Sequence, residues 1–138
     1  MLVIVTTGGN GTQQLREKYN AANIIIEDFI SFKEVMKYAS VYVTNGGYGG
    51  TMLSITQQLP MLAAGLHEGK NEICARIGYF KIGIDLKTET PAPHAIYQGV
   101  REILKNKEYK ENVTRLAEKI NSYDSNKLCA DYIEELID

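Results

Sequence analysis

Apolar positions along the chain follow two alternating rhythms. Short continuous runs, several rich in β-branched residues, occupy residues 1–5 (Met-Leu-Val-Ile-Val), 23–27 (Asn-Ile-Ile-Ile-Glu), 41–44 (Val-Tyr-Val-Thr), 60–64 (Pro-Met-Leu-Ala-Ala) and 81–86 (Lys-Ile-Gly-Ile-Asp-Leu). Runs this short and this apolar predict strands covered by helices on both faces. Between them lie stretches of helical character over residues 13–19, 31–39, 52–59 and 71–80. Thr12 is placed to cap the first, and Ser31, with Glu34 three residues on, to open the second.

Strands separated by helices predict parallel pairing, because parallel neighbours need a crossover where antiparallel ones need only a hairpin. The expected fold is α/β: a doubly wound, Rossmann-like parallel sheet in three α/β/α layers, one domain over residues 1–138. From Pro91 onward the pattern is helical. Pro93 suits a first helical turn, and Ile96, Val100, Ile103 and Leu104 share one face of a helix ending near Asn106. A second helix over residues 109–120 turns Val113, Leu116 and Ile120 inward. A third starts at Ser125 as cap and carries Leu128, Tyr132, Ile133, Leu136 and Ile137 along one stripe.

The chemistry lies in the turns at the carboxyl ends of the strands, where ligands bind on such sheets. After residue 44 the chain reads Asn45-Gly-Gly-Tyr-Gly-Gly-Thr51 before its central helix. Glycines let another molecule approach the backbone, and the unpaired N–H groups of a helix start face it with partial positive charge. Such a turn suits an anion, phosphate above all; a tight strand-to-helix connection is the alternative. Thr6-Thr-Gly-Gly-Asn-Gly-Thr12 is built alike, which adds Thr7, Gly8 and Gly9 to the candidates. The loop Gly65-Leu-His-Glu-Gly-Lys70 leaves the fourth run on the same edge, so three loops are expected to converge on one crevice.

Composition narrows the classes. With 138 residues, 44% of them hydrophobic, the chain supports one core. A net charge of −2 with scattered basic residues leaves no footprint for nucleic acid. Cys74 and Cys129 are far apart and outside any metal-binding spacing, which points to reduced thiols in the cytoplasm. There is no nucleophile–base pair, Walker lysine, metal-ligand cluster or complete G-x-G-x-x-G fingerprint.

Three segments together resemble the donor-binding signature of family 1 glycosyltransferases: Thr44-Asn-Gly-Gly-Tyr-Gly-Gly-Thr51, Leu59-Pro-Met-Leu-Ala63 and Glu68-Gly-Lys-Asn-Glu-Ile-Cys-Ala-Arg-Ile77. Ile4-Val-Thr-Thr-Gly-Gly-Asn-Gly11 is similar to the first strand and loop of the carboxyl-terminal domain of these UDP-sugar-dependent GT-B enzymes. Asp28-Phe-Ile-Ser-Phe-Lys-Glu-Val35 is similar to their segment that packs on the donor base. The likeness is to the macrolide-glycosyltransferase-like branch and covers nearly the whole chain. It implies a UDP-sugar-binding domain of an enzyme that transfers a hexosyl group to an acceptor hydroxyl. The acceptor site and the base then belong to an amino-terminal domain missing here. On that reading the chain is an excised donor domain or one chain of a split enzyme. It is inactive alone and cytoplasmic, or peripheral to the inner face of a membrane. Its partners are the UDP-sugar and the missing domain or chain, and its terminal helices are available for a homodimer.

The resemblance also assigns roles. Asn45 stands where the family often has a histidine on the diphosphate. Gly47, Gly49, Gly50 and Thr51 form the turn whose amides face the β-phosphate, although many relatives carry Ser or Thr at Gly50. Leu53 replaces a ribose-binding glutamate, with Gln57 as a substitute. The sugar-reading pair falls on Gly69 and Lys70; Glu68 beside them suits sugar hydroxyls, and Lys70 a phosphate or carboxylate. Phe29 or Phe32 can stack on the base, with core packing as the alternative. Tyr48 can wall the acceptor pocket, and His67 and His94 read as solvated. The implied mechanism is direct displacement, with no metal or other cofactor, the helix amides meeting charge that develops on the diphosphate. No catalytic residue is expected in this chain. A nucleotide-sensing module or a sugar-nucleotide epimerase of the same plan is the alternative outside transfer.

Overall fold

The structure, a computed structural model, describes residues 1–137. The chain divides into two compact units, Met1–Val35 and Met36–Asp138. The first contains strand β1 (Val3–Thr6), helix α1 (Thr12–Lys18), strand β2 (Ile24–Glu27) and the single turn of helix α2 (Phe32–Val35). β1 and β2 pair in parallel, from Val3 against Ile24 to Thr6 against Glu27. Alternate residues of a strand point to opposite faces. Ile26 is accordingly buried, but Ile4 and its register partner Ile25 remain 39% and 41% exposed. The expectation that both faces of these strands are covered therefore fails here. The helix start differs too. Gly11, in the left-handed conformation, is the N-cap of α1, with no side-chain cap bond. Thr12 cannot serve because its hydroxyl donates to the Asp28 carboxylate and meets Thr7 Oγ1 at 2.5 Å.

The second unit opens on a 3-10 turn, Met36–Tyr38, and continues with β3 (Tyr42–Thr44), α3 (Tyr48–Thr56), β4 (Met61–Ala63), α4 (Lys70–Tyr79) and β5 (Gly83–Asp85). Helices α5 (Pro93–Lys105), α6 (Glu108–Asn121) and α7 (Ser125–Glu134) follow. β3, β4 and β5 form a second parallel sheet in that order. The central strand β4 is buried at every residue. Met61 and Ala63 enter a cluster with Ile55 of α3, Cys74 and Ile77 of α4, Ile82, and Val113 and Ala117 of α6. Leu62 points the other way, onto α5, where a Cβ at Gly99 would stand 2.6 Å from its Cδ1. Helix, sheet and helix thus form three layers in this unit. Each fully buried Leu, Met or Ile contributes roughly 1.5–3 kcal/mol. The hydroxyl of Ser54, fully buried in α3, donates to the Leu59 carbonyl at 2.8 Å, which keeps it satisfied.

Pro93 opens α5 as expected. Leu104, expected on the inward face, is 49% exposed. The inward line runs through Gly99 and Ile103, one turn apart, and Leu104 lies a further step round the helix. α7 is capped by Asp124 and not by Ser125: the Asp124 carboxylate accepts the Lys127 N–H at 3.0 Å. No described residue of α7 is buried, and Leu128, Tyr132 and Ile133, with Leu136 and Ile137 beyond its end, are exposed. Among the described residues no helix is long and apolar enough to cross a membrane.

Candidate functional site

β3 ends at Thr44 and α3 begins at Tyr48, so the turn between them is short and Gly49, Gly50 and Thr51 fall inside the first helical turn. Thr44 Oγ1 accepts the Gly46 N–H at 3.2 Å, and Asn45 Oδ1 accepts the Gly47 N–H at 3.1 Å. Asn45 therefore builds the turn itself, as asparagine does in Asx turns. The first intrahelical bond runs from the Thr51 N–H to the Gly47 carbonyl at 3.0 Å. The N–H groups of Tyr48, Gly49 and Gly50 then find no acceptor among the described residues. The first turn of α3 carries no acidic side chain to offset the dipole.

The glycines of this turn differ in what demands them. Gly46 has φ +76°, and a Cβ there would collide with Cys74 Sγ on α4. A Cβ at Gly65, just after β4, would collide with the Asn45 carbonyl oxygen and come within 3.2 Å of Lys70 Cβ. The loops following β3 and β4 are therefore in direct contact. At Gly50 a Cβ would lie 3.0 Å from Tyr42 Oη, so the phenol crowds the place a side chain would take. Gly49 stands apart: its φ is not left-handed and a Cβ would meet nothing within 4 Å. The chain itself has no need of glycine there, although glycine in a helix costs up to about 1 kcal/mol relative to alanine. Thr51 is buried, and its hydroxyl has no partner among the described residues. An orphan of that kind costs about 1–3 kcal/mol.

On the β4–α4 loop, Glu68 and Lys70 are bound to each other, Oε2 to Nζ at 2.5 Å. The hydrogen bond and the ammonium charge hold the Glu68 carboxyl below the usual range, and the same bond raises Lys70. Lys70, expected to meet a phosphate or carboxylate of a ligand, already has a carboxylate within the chain. Glu89, which no sequence motif marks, accepts the Leu66 N–H at 2.5 Å and the His67 N–H at 2.8 Å on one oxygen. Those two bonds hold its carboxyl below the usual range. Leu53 lies within α3, and Gln57 caps its carboxyl end, opposite the free amides. His67 and His94 are exposed, as expected.

The other candidates belong to the first unit. The loop after β1 is built around Asp28, whose carbonyl accepts both the Thr6 hydroxyl and the Gly8 N–H at 2.9 Å. Thr7 is engaged inside the loop: its Oγ1 accepts the Gly9 N–H at 3.2 Å besides meeting Thr12. Phe29 is 77% exposed with its ring against Gly9, so it is not a core residue. Phe32, the first residue of α2, is half-buried. An open cavity of about 500 Å³ lies along α1 between Gly9 and Arg16.

No protein-family model matches the chain. Over 128 residues it is 38% identical to UDP-glucosyltransferase 1 of Beauveria bassiana (strain ARSEF 2860), a match that covers 91% of this chain and 28% of that protein. The chain is a homologue of the UDP-glycosyltransferases. Among solved structures, this UDP-glycosyltransferase homologue is similar to the glycotransferase of kitacinnamycin, with a TM-score of 0.78 at 17% identity over 98% of this chain and 43% of that one. It is also similar to Os79 from O. sativa, solved in complex with UDP and deoxynivalenol-3-glucoside. The TM-score there is 0.77 at 16% identity, over 97% of this chain and 42% of that one. At such identities the structural likeness is one of fold, the parallel α/β plan with flanking helices. The homologue spans under a third of the length of its curated relative.

Proposed function

We propose that this chain is the donor-binding part of a glycosyltransferase and holds the diphosphate of a UDP-sugar at the start of α3. The observation that carries the reading is the set of free amides at Tyr48, Gly49 and Gly50, behind a glycine that the protein itself does not require. A helix N-terminus carries roughly half a positive charge, and in transfer that charge meets the negative charge growing on the departing UDP. A ligand oxygen there also offers the buried Thr51 hydroxyl the partner it lacks. The names of the relatives, a UDP-glucosyltransferase and a protein solved with UDP, favour uridine diphosphate over other anions.

Transfer of a hexosyl group to an acceptor hydroxyl needs a base and an acceptor site, which we assign to residues outside these 138. We assign the exposed stripe of α7 to that same partner, a second copy of the chain being the alternative. The chain alone is then expected to bind UDP without transferring sugar. The test is a calorimetric titration of UDP into the protein and into Gly49→Val, whose side chain enters open space and leaves the fold intact. Saturable binding of roughly −8 to −4 kcal/mol, abolished by Gly49→Val at unchanged thermal stability, is the expected result. Equal binding by the variant would move the nucleotide elsewhere, and no binding at millimolar UDP would end the reading.

A further inference from the structure

The β4–α4 loop is fixed by a carboxylate from 23 residues further along the chain. One oxygen of Glu89 takes the N–H groups of Leu66 and His67, the two residues immediately before Glu68. Glu68 and Gly69 follow with φ of 58° and 77°. A glutamate rarely adopts that conformation unless its surroundings impose it. Lys70 opens α4 with its Nζ on Glu68 Oε2, and its carbonyl oxygen lies 3.6 Å from where a Cβ on Gly46 would stand. A continuous line of contacts thus joins Glu89 to the turn that carries the free amides of α3. The loop is exposed, so the two N–H groups would be satisfied by water without Glu89. What the carboxylate supplies is selection of one backbone conformation among many.

We propose that Glu89 is a positioning residue for the sugar end of the donor. By fixing the backbone at Leu66 and His67 it aims the Glu68 carboxylate at vicinal hydroxyls of the transferred sugar. This inference rests on the nucleotide-sugar reading above. Glu68 is ionised and mostly exposed, and pairing with one ammonium leaves lone pairs free for hydroxyl donors. The charges on the loop also favour a neutral hexose. Two carboxylates, Glu68 and Glu89, face one ammonium already engaged, so a uronate would bring a third negative charge to the same place.

The experiment measures UDP, UDP-glucose and UDP-glucuronate as probes against the wild type, Glu89→Gln and Glu89→Ala. Amide exchange at Leu66 and His67 is followed in parallel. The wild type is expected to bind UDP-glucose about tenfold more tightly than UDP and UDP-glucuronate no more tightly than UDP. Glu89→Ala is expected to lose that tenfold advantage, keep its affinity for UDP, and exchange both amides faster. Glu89→Gln, whose amide oxygen can accept the same N–H groups, is expected to retain most of the advantage. If Glu89→Ala keeps the preference, or loses UDP to the same extent, the proposal is overturned. If the wild type binds UDP and UDP-glucose equally, the loop does not read the sugar and the proposal fails while the nucleotide reading stands. Absence of UDP binding ends both.

Discussion

Gly46 and Gly49 look alike in the sequence and are opposites in the structure. At Gly46 the backbone is left-handed and the thiol of Cys74 fills the place of a side chain; at Gly49 the backbone is ordinary and the space is open. The sequence shows the glycine turn, because glycines clustered directly after a strand run mark a break in regular structure. It does not separate the two demands, because the contact with Cys74 spans two elements distant along the chain. Gly46→Ala must bear the left-handed backbone, about 1–2 kcal/mol, and a collision in a packed core, about 1–3 kcal/mol. Cys74→Ala removes the collision and leaves the backbone strain. In denaturant unfolding the double variant is therefore expected to be more stable than the sum of the two single losses allows. Additive losses, within about 0.5 kcal/mol, would show that the thiol is not what forbids a side chain at Gly46.

Among the elements, the helices that enclose β4 and the final helix obey different rules. α3, α4 and α6 each place residues in the cluster around Met61, whereas α7 buries none. Most helical stability comes from packing an apolar face, and α7 has none packed. Ending the chain after Tyr123 is expected to leave the thermal midpoint within about 2 °C of the parent, since each kcal/mol moves it by roughly 3–5 °C in a domain of this size. A larger fall would mean that the last helix supports the core. The existence of every helix was legible from apolar spacing. Its boundaries were less so, because caps depend on where neighbouring side chains are already committed. Thr12 is lost to Asp28, and Asp124 outcompetes the adjacent Ser125. Leu104 shows the same limit: spacing finds a stripe, but only the partner at Leu62 decides how wide the buried part is.

For the molecule as a whole, the parallel α/β plan was legible because strand and helix patterns alternate without ambiguity. The division of the strands into β1–β2 and β3–β4–β5 was not, since the pattern along one strand carries no information about its neighbours. The ionic design of the site loop was equally hidden, as Glu89 reaches it from outside any motif, and that design has a consequence for stability against pH. Glu68 and Glu108 are held below the carboxylate range by Lys70 and Lys81, and Glu89 by the Leu66 and His67 amides. Each binds its proton more weakly folded than unfolded, so its contribution is complete above the ordinary carboxylate range and is lost as pH falls through the lowered values. Lys70 and Lys81, raised by the same pairs, and Cys74, raised by burial, act in the other direction. Their contributions are complete below their ordinary values and are lost as pH rises through the raised ones. The thermal midpoint is expected to hold a plateau between these ranges and fall on both sides. Molar salt screens the exposed pairs but not a thiol in the core. In high salt the decline through the thiol range should therefore be smaller in Cys74→Ala than in the wild type, with Tyr109, also raised by burial, supplying what remains. The same decline in both proteins would mean that Cys74 ionises without cost to the fold, which a thiol packed beneath Gly46 cannot do.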